Sequence, residues 1–84
     1  MTSRPGFFKS LKITYAGQLI DPGRCIRRMR TNLGWSQSEL AKRANLTPGY
    51  ISQIELNKVE APTRTYQAIA RAMGLRIDQM WGLA

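Results

Sequence analysis

The sequence predicts an all-α domain of five helices, preceded by a short N-terminal β-strand or arm. Two observations carry this. Apolar residues alternate with polar ones only within the first 20 residues, and recur at helical spacing thereafter. Residues that favour helix starts, Asp21, Ser36, Thr47 and Thr63, stand ahead of the apolar stripes, while Gly34, Asn45 and Gly74 stand at their ends. The 84 residues suffice for one small domain. Residues 1–20 are read as an arm and possible dimerisation element, and residues 21–84 as the helical domain.

In the arm, "LKITYAG" alternates Leu11, Ile13 and Tyr15 with Lys12 and Thr14, the period of a half-buried strand. A lone strand leaves its backbone N–H and C=O groups without partners. It can fold back at Ala16-Gly17 as a hairpin, or pair with the same strand of a second subunit. A hairpin of two short strands is marginal alone, so an intersubunit ribbon is the favoured expectation. Leu11, Ile13 and Tyr15 would then lie at a dimer contact.

The first helix opens with Asp21 as cap and Pro22 at the first helical position, where a missing N–H removes no bond. Cys25 or Ile26, then Met29 and Leu33, form its apolar stripe, and Arg24, Arg27 and Arg28 face solvent. Gly34 supplies the left-handed stop. The second helix starts at Ser36, with Glu39 completing a capping box and Trp35 and Leu40 spaced as a hydrophobic staple. The third is capped by Thr47, continues through Pro48 and buries Ile51 and Ile54. "LNKVEAP" is a loop. Thr63 starts the fourth helix, where Tyr66, Ile69, Ala70 and Met73 recur on one face, and a short fifth helix covers about Ile77 to Trp81.

The charge narrows the function classes. Thirteen Lys and Arg against five Asp and Glu give a formal net charge of +8, which favours polyanions, nucleic acid first and an anionic membrane surface second. No apolar run approaches the roughly 18 residues of a membrane span, and "MTSRPGFFKS" lacks the apolar core of a signal peptide. The chain is expected to be cytoplasmic, with no membrane partner. Histidine is absent, removing the commonest general base and metal ligand. With no Gly-rich phosphate loop and no metal-ligand spacing, no enzyme, cofactor or metal site is expected. A single cysteine, Cys25, forbids an internal disulfide and sits on an apolar stripe as core filler.

Between the second and third helices stand only Asn45 and Leu46 before the Thr47 cap. Asn is the residue after glycine that best tolerates a left-handed backbone. Leu46 is apolar in a turn, so the turn must pack on the core, and Ala41 is small where two helices cross closely. These residues describe a helix-turn-helix. The stretch "GWSQSELAKRANLTPGYISQIELNKVEAPTRTYQAIARAMGL" resembles the lambdoid phage Cro/CI repressors and the XRE class of bacterial regulators. The resemblance covers about Arg24 to Trp81. It rests on Ser36-Gln37, Leu40-Ala41, Ala44, Leu46, the Ile51/Ile54 pair, Glu55, Pro62 and "AIARAMGL". The sequence departs at Asn45, where the family usually has Gly, and at Leu56-Asn57, where many members carry a polar residue and then Gly.

The resemblance implies a lambda-repressor-like DNA-binding domain whose recognition helix runs from Thr47 to Glu55. Its outward residues Thr47, Gly49, Tyr50 and Gln53 are then base-reading candidates, Gln53 being able to bond adenine bidentately. Ser36, Gln37, Arg43, Ser52, Asn57, Lys58 and Arg64 are candidate phosphate contacts. In the family an acid at the position of Glu55 pairs with an arginine at that of Arg30. Unpaired, Glu55 would oppose the helix dipole. Ile77, Met80 and Trp81 are expected at the surface as a dimer contact, the alternative being that Trp81 caps the core of its own chain.

The implied function is sequence-specific transcription regulation, by a homodimeric repressor of its own or a neighbouring operon on a near-palindromic operator of double-stranded DNA. An antitoxin with a toxin partner, or a restriction-modification controller, would carry the same fold. From other classes, a helical protein-interaction module or a non-specific architectural or RNA binder remains open. The arm has a second candidate role, with Arg4, Lys9 and Lys12 reaching along DNA.

Overall fold

The computed structural model describes residues 12–83. Leu11, Arg4 and Lys9 lie outside the described residues. The elements are β1 (Ile13–Tyr15), β2 (Gln18–Ile20), α1 (Pro22–Asn32), α2 (Gln37–Ala44), α3 (Pro48–Glu55), α4 (Thr63–Ala72) and α5 (Ile77–Trp81). The core gathers Ile26 from α1, Leu40 and Ala41 from α2, Ile51 and Ile54 from α3, Tyr66 and Ile69 from α4, and Met80 from α5.

The helix starts follow from their caps. Asp21, Ser36 and Thr47 have extended backbones, and each side chain accepts the N–H of the residue three further on. Only half of the expected capping box forms at α2. Ser36 Oγ accepts from the Glu39 N–H at 3.0 Å, but the Glu39 carboxylate turns to Arg43 Nε, 2.6 Å away. The charged partner one turn on outcompetes the neutral backbone N–H.

The helix ends share one device. After α1, α2, α3, α4 and α5 a left-handed residue reverses the chain: Gly34, Asn45, Asn57, Gly74 and Gly82. In each case the following N–H reaches five residues back, as in Leu46 to Ala41 O at 2.8 Å and Lys58 to Gln53 O at 2.9 Å. Asn45 has φ 59°, ψ 45°, the conformation expected of the turn between α2 and α3. Leu46 is half-buried against the core, as its apolar character requires.

The arm differs from the favoured expectation. β1 pairs antiparallel with β2 of the same chain, in the register Ile13 to Ile20, Thr14 to Leu19 and Tyr15 to Gln18, the fold-back route at Ala16-Gly17 rather than a lone strand. Ala16 and Gly17 both take positive φ, the two-residue turn that matches strand twist. The marginality of an isolated hairpin does not apply, because the bundle supports this one: Ile20 is buried in the core and Ile13 and Tyr15 pack against it.

The expected surface cluster is corrected likewise. Met80 is fully buried and Trp81 is 4% exposed, both inside the core of their own chain, and only Ile77 is half-buried. Trp81 meets Tyr66 edge-to-face with centroids 5.2 Å apart, and its backbone oxygen accepts a weak 3.9 Å bond from the Cys25 thiol. Burial pushes the Cys25 thiol above its ordinary pKa, which fits core filler. Trp81→Glu is therefore expected to abolish folding, since it places a charge in the core. A soluble, helical monomer by circular dichroism and sedimentation would instead assign the ring to a subunit contact. Trp81 Nε1 is buried without a partner among the described residues. Trp81→Phe removes that unpaired donor along with some volume, and should change stability by less than about 1.5 kcal/mol.

Candidate nucleic-acid interface

α3 is fixed from behind. Ile51 and Ile54 are buried, which turns Thr47, Pro48, Gly49 and Gln53 to solvent and leaves Tyr50 and Ser52 half-exposed. This outward face carries no charged residue and offers hydroxyl, amide and phenol groups. Such a face suits base edges, which are read by neutral donors and acceptors. Gly49 has ordinary backbone angles, and a Cβ placed there would meet only open space, so its lack of a side chain keeps the face low.

Behind α3 lies a buried charge cluster. Arg30 Nε donates to Glu55 Oε2 at 2.6 Å and Arg30 Nη2 to Oε1 at 2.8 Å, a two-pronged pair whose side chains are 11% and 3% exposed. Arg30 Nη1 donates to the Trp35 carbonyl at 2.8 Å. Gln37 Nε2 donates to Glu55 Oε1 at 3.0 Å. One carboxylate thus ties α1, the start of α2 and the end of α3 together. The hydrogen bonds that Arg30 donates to Glu55 raise the Arg30 pKa above its ordinary value, against the opposing effect of burial.

The expected phosphate contacts divide. Ser36, Arg43, Lys58 and Arg64 are exposed, and Gln37 and Ser52 are half-buried. Arg43 is not free: it bonds Glu39 and lies over the Trp35 ring, 4.3 Å from its centroid. Gln37 has one amide N–H committed to Glu55, leaving the other and its oxygen. Asn57 is corrected to a structural role. Its Oδ1 accepts the Gly23 N–H at 3.0 Å, and its Nδ2 donates to Asp21 Oδ1 at 2.8 Å. Asn57 therefore fastens the end of α3 to the start of α1 while its own backbone, φ 58°, ends α3. The family's usual glycine would supply the backbone angle without the clasp. Gly23 is a position that sequence reasoning misses. It faces the last α3 carbonyls so closely that a Cβ would lie 2.7 Å from Ile54 O and 2.8 Å from Asn57 Oδ1. No local pattern marks it, because its constraint comes from a segment 34 residues away.

Two helices crossing at a tight left-handed turn, with the second one's polar face outward, define a helix-turn-helix domain of the transcription-regulator type. A sequence model of the helix-turn-helix family matches residues 26–80, more than half of the chain, and the chain belongs to that family, in its XRE type. The hairpin lies outside the matched residues. A "Neisseria hypothetical transcription factor" from Neisseria meningitidis serogroup B is 33% identical over 55 residues, 66% of this chain and 52% of the relative. The match thus spans about half the length of that curated relative. The crystal structure of hypothetical transcription factor NHTF from Neisseria superposes with a TM-score of 0.67 at 30% identity, over 70% of this chain and 68% of that one. SinR, a master regulator for biofilm formation solved in complex with DNA, gives a TM-score of 0.64 at 27% identity, over 69% of this chain and 94% of that one. Among the described residues no helix is long and apolar enough to cross a membrane.

Proposed function

We propose that this chain is a sequence-specific DNA-binding regulator, acting in the cytoplasm as a homodimeric repressor on a near-palindromic operator. The observation that carries the reading is the uncharged, solvent-facing side of α3, held rigidly from behind by Ile51, Ile54 and Glu55. Two such helices in a symmetric dimer would enter successive major grooves about 34 Å apart. Thr47, Gly49, Tyr50 and Gln53 read bases. Ser36, Gln37, Ser52, Lys58 and Arg64 take phosphates, and Arg43 contributes charge while stacked on Trp35. Ile13, Tyr15 and Ile77, half-buried beside one another around a cleft of about 270 Å³ between the hairpin, α4 and α5, are the remaining candidates for the subunit contact. The SinR relative solved with DNA supports a DNA ligand. No reaction and no cofactor are assigned.

A gel-shift comparison of the DNA upstream of the gene with a scrambled duplex of equal length tests this. One retained site and an affinity falling linearly in log salt are expected, because lysines and arginines displace counterions. Equal affinity for both duplexes at physiological salt leaves only an architectural role. Gln53→Ala should relax preference at one or two base pairs by about 1–3 kcal/mol each, whereas Lys58→Ala should weaken all sequences alike. An unchanged preference profile for Gln53→Ala across a saturated operator library would remove α3 from the reading role.

A further inference from the structure

We propose that Arg27 of α1 is a clamp for one DNA backbone phosphate, seated in the cleft where α1, α2 and α3 meet; this rests on the DNA-binding reading above. The cleft measures about 270 Å³ and is lined by Arg27, Arg30, Gln37, Ser52, Glu55 and Leu56. Arg27 and Arg30 stand three apart on one helix face, yet their circumstances differ. Arg30 is buried, and its guanidinium is spent on Glu55 and the Trp35 carbonyl. Arg27 is exposed and has no ion pair among the described residues, where the pairs are Arg30–Glu55, Arg43–Glu39 and Arg76–Asp78.

Glu55 cannot neutralise Arg27. Both its oxygens are already bonded, Oε2 by Arg30 and Oε1 by Arg30 and Gln37, and its side chain is 3% exposed. The cleft therefore keeps one net positive charge at its mouth. Around that charge are the Ser52 hydroxyl and the remaining Gln37 amide N–H, both donors. Ser52 immediately precedes Gln53, so a strand whose bases meet Gln53 has its backbone within reach of this cleft. A planar guanidinium beside neutral donors matches a phosphodiester, which accepts two parallel bonds and requires no further charge.

The test needs no operator. A fluorescent mixed-sequence duplex is titrated with the full chain across about 50 to 200 mM salt, using wild type, Arg27→Gln, Arg27→Lys and Arg24→Gln. Arg24 lies on the same helix outside the cleft, and its substitution removes the same charge. Loss of one phosphate contact should lower the slope of log affinity against log salt by about 0.9, so the ratio of wild-type to Arg27→Gln affinity shrinks about 3.5-fold over that range. Arg27→Lys should restore the slope, and Arg24→Gln should retain it. Equal slope loss in Arg24→Gln and Arg27→Gln would mean diffuse charge and overturn the clamp. So would an unchanged Arg27→Gln slope accompanied by saturable binding of inorganic phosphate alone, which assigns the cleft to a free anion. Failure of wild type to bind any duplex defeats the DNA-binding reading itself, a separate outcome.

Discussion

Glu55→Ala is expected to remove about 3–5 kcal/mol of folding stability, a large share of the roughly 5–15 kcal/mol that holds a small domain together. The substitution deletes the acceptor of three hydrogen bonds and leaves a buried guanidinium with only the Trp35 carbonyl. Desolvation of Arg30 is then uncompensated, which is where most of the loss arises. Arg30→Ala should lose a similar amount, because it strands the Glu55 carboxylate at 3% exposure. The double mutant strands neither charge, so its loss should fall short of the sum of the singles by more than about 1 kcal/mol. Urea denaturation of the four proteins reads this directly. Small and additive losses would show that the pair holds nothing. Arg30 adds no pH dependence of its own near neutrality. A group whose folded pKa is raised contributes fully at every pH below its unfolded value, and that value lies far above neutral. Glu55→Ala also leaves the Gln37 side chain unanchored, so the phosphate contacts proposed at the start of α2 should weaken along with stability.

The residues that announce themselves in the sequence are those whose reasons are local. Asp21, Ser36 and Thr47 cap because a short side chain before an amphipathic stripe has an N–H three residues on to accept from. Asn45 is readable as left-handed from its neighbours alone. Arg30 and Glu55 are legible by a mixed route: a carboxylate at the wrong end of a helix asks for a cation, and family resemblance names which one. Asn57 shows the opposite case. Its place two residues past the end of α3 matches the signal of a left-handed helix end, but a surface amide also suits phosphate, and nothing nearby in the sequence points to Asp21 or Gly23. Trp81 misleads because periodicity gives a face but not what covers it, and α5 is too short to carry a full stripe. The hairpin is marginal only when weighed in isolation, whereas Ile20 anchors it in the core. Contacts between distant segments decide each of these positions.

Gly23→Ala should be among the most damaging single-methyl substitutions the domain can suffer. The new Cβ would overlap the Glu55 carbonyl oxygen and lie 2.7 Å from that of Ile54, both backbone atoms at the end of α3 that cannot turn aside. A third neighbour at 2.8 Å, Asn57 Oδ1, also accepts the Gly23 N–H, so moving it breaks the clasp. Separating α1 from α3 to make room would stretch the Arg30–Glu55 pair, which bridges the same two helices. Overpacking of this kind costs about 1–3 kcal/mol and sometimes more, and the lost hydrogen bond about 1 kcal/mol. Against these stands a gain of up to about 1 kcal/mol from replacing glycine within a helix. The strain wins, and a fall in melting temperature of roughly 10–20 °C is expected for a domain of this size. Gly49→Ala supplies the contrast. No atom lies within 4 Å of its Cβ position, so the helix gain is unopposed and stability should rise slightly. DNA affinity should fall there, because the methyl group stands on the face proposed to read bases. If Gly23→Ala instead melts at or above wild type, α1 and α3 can part without loss, and the clasp is not what sets the angle of α3.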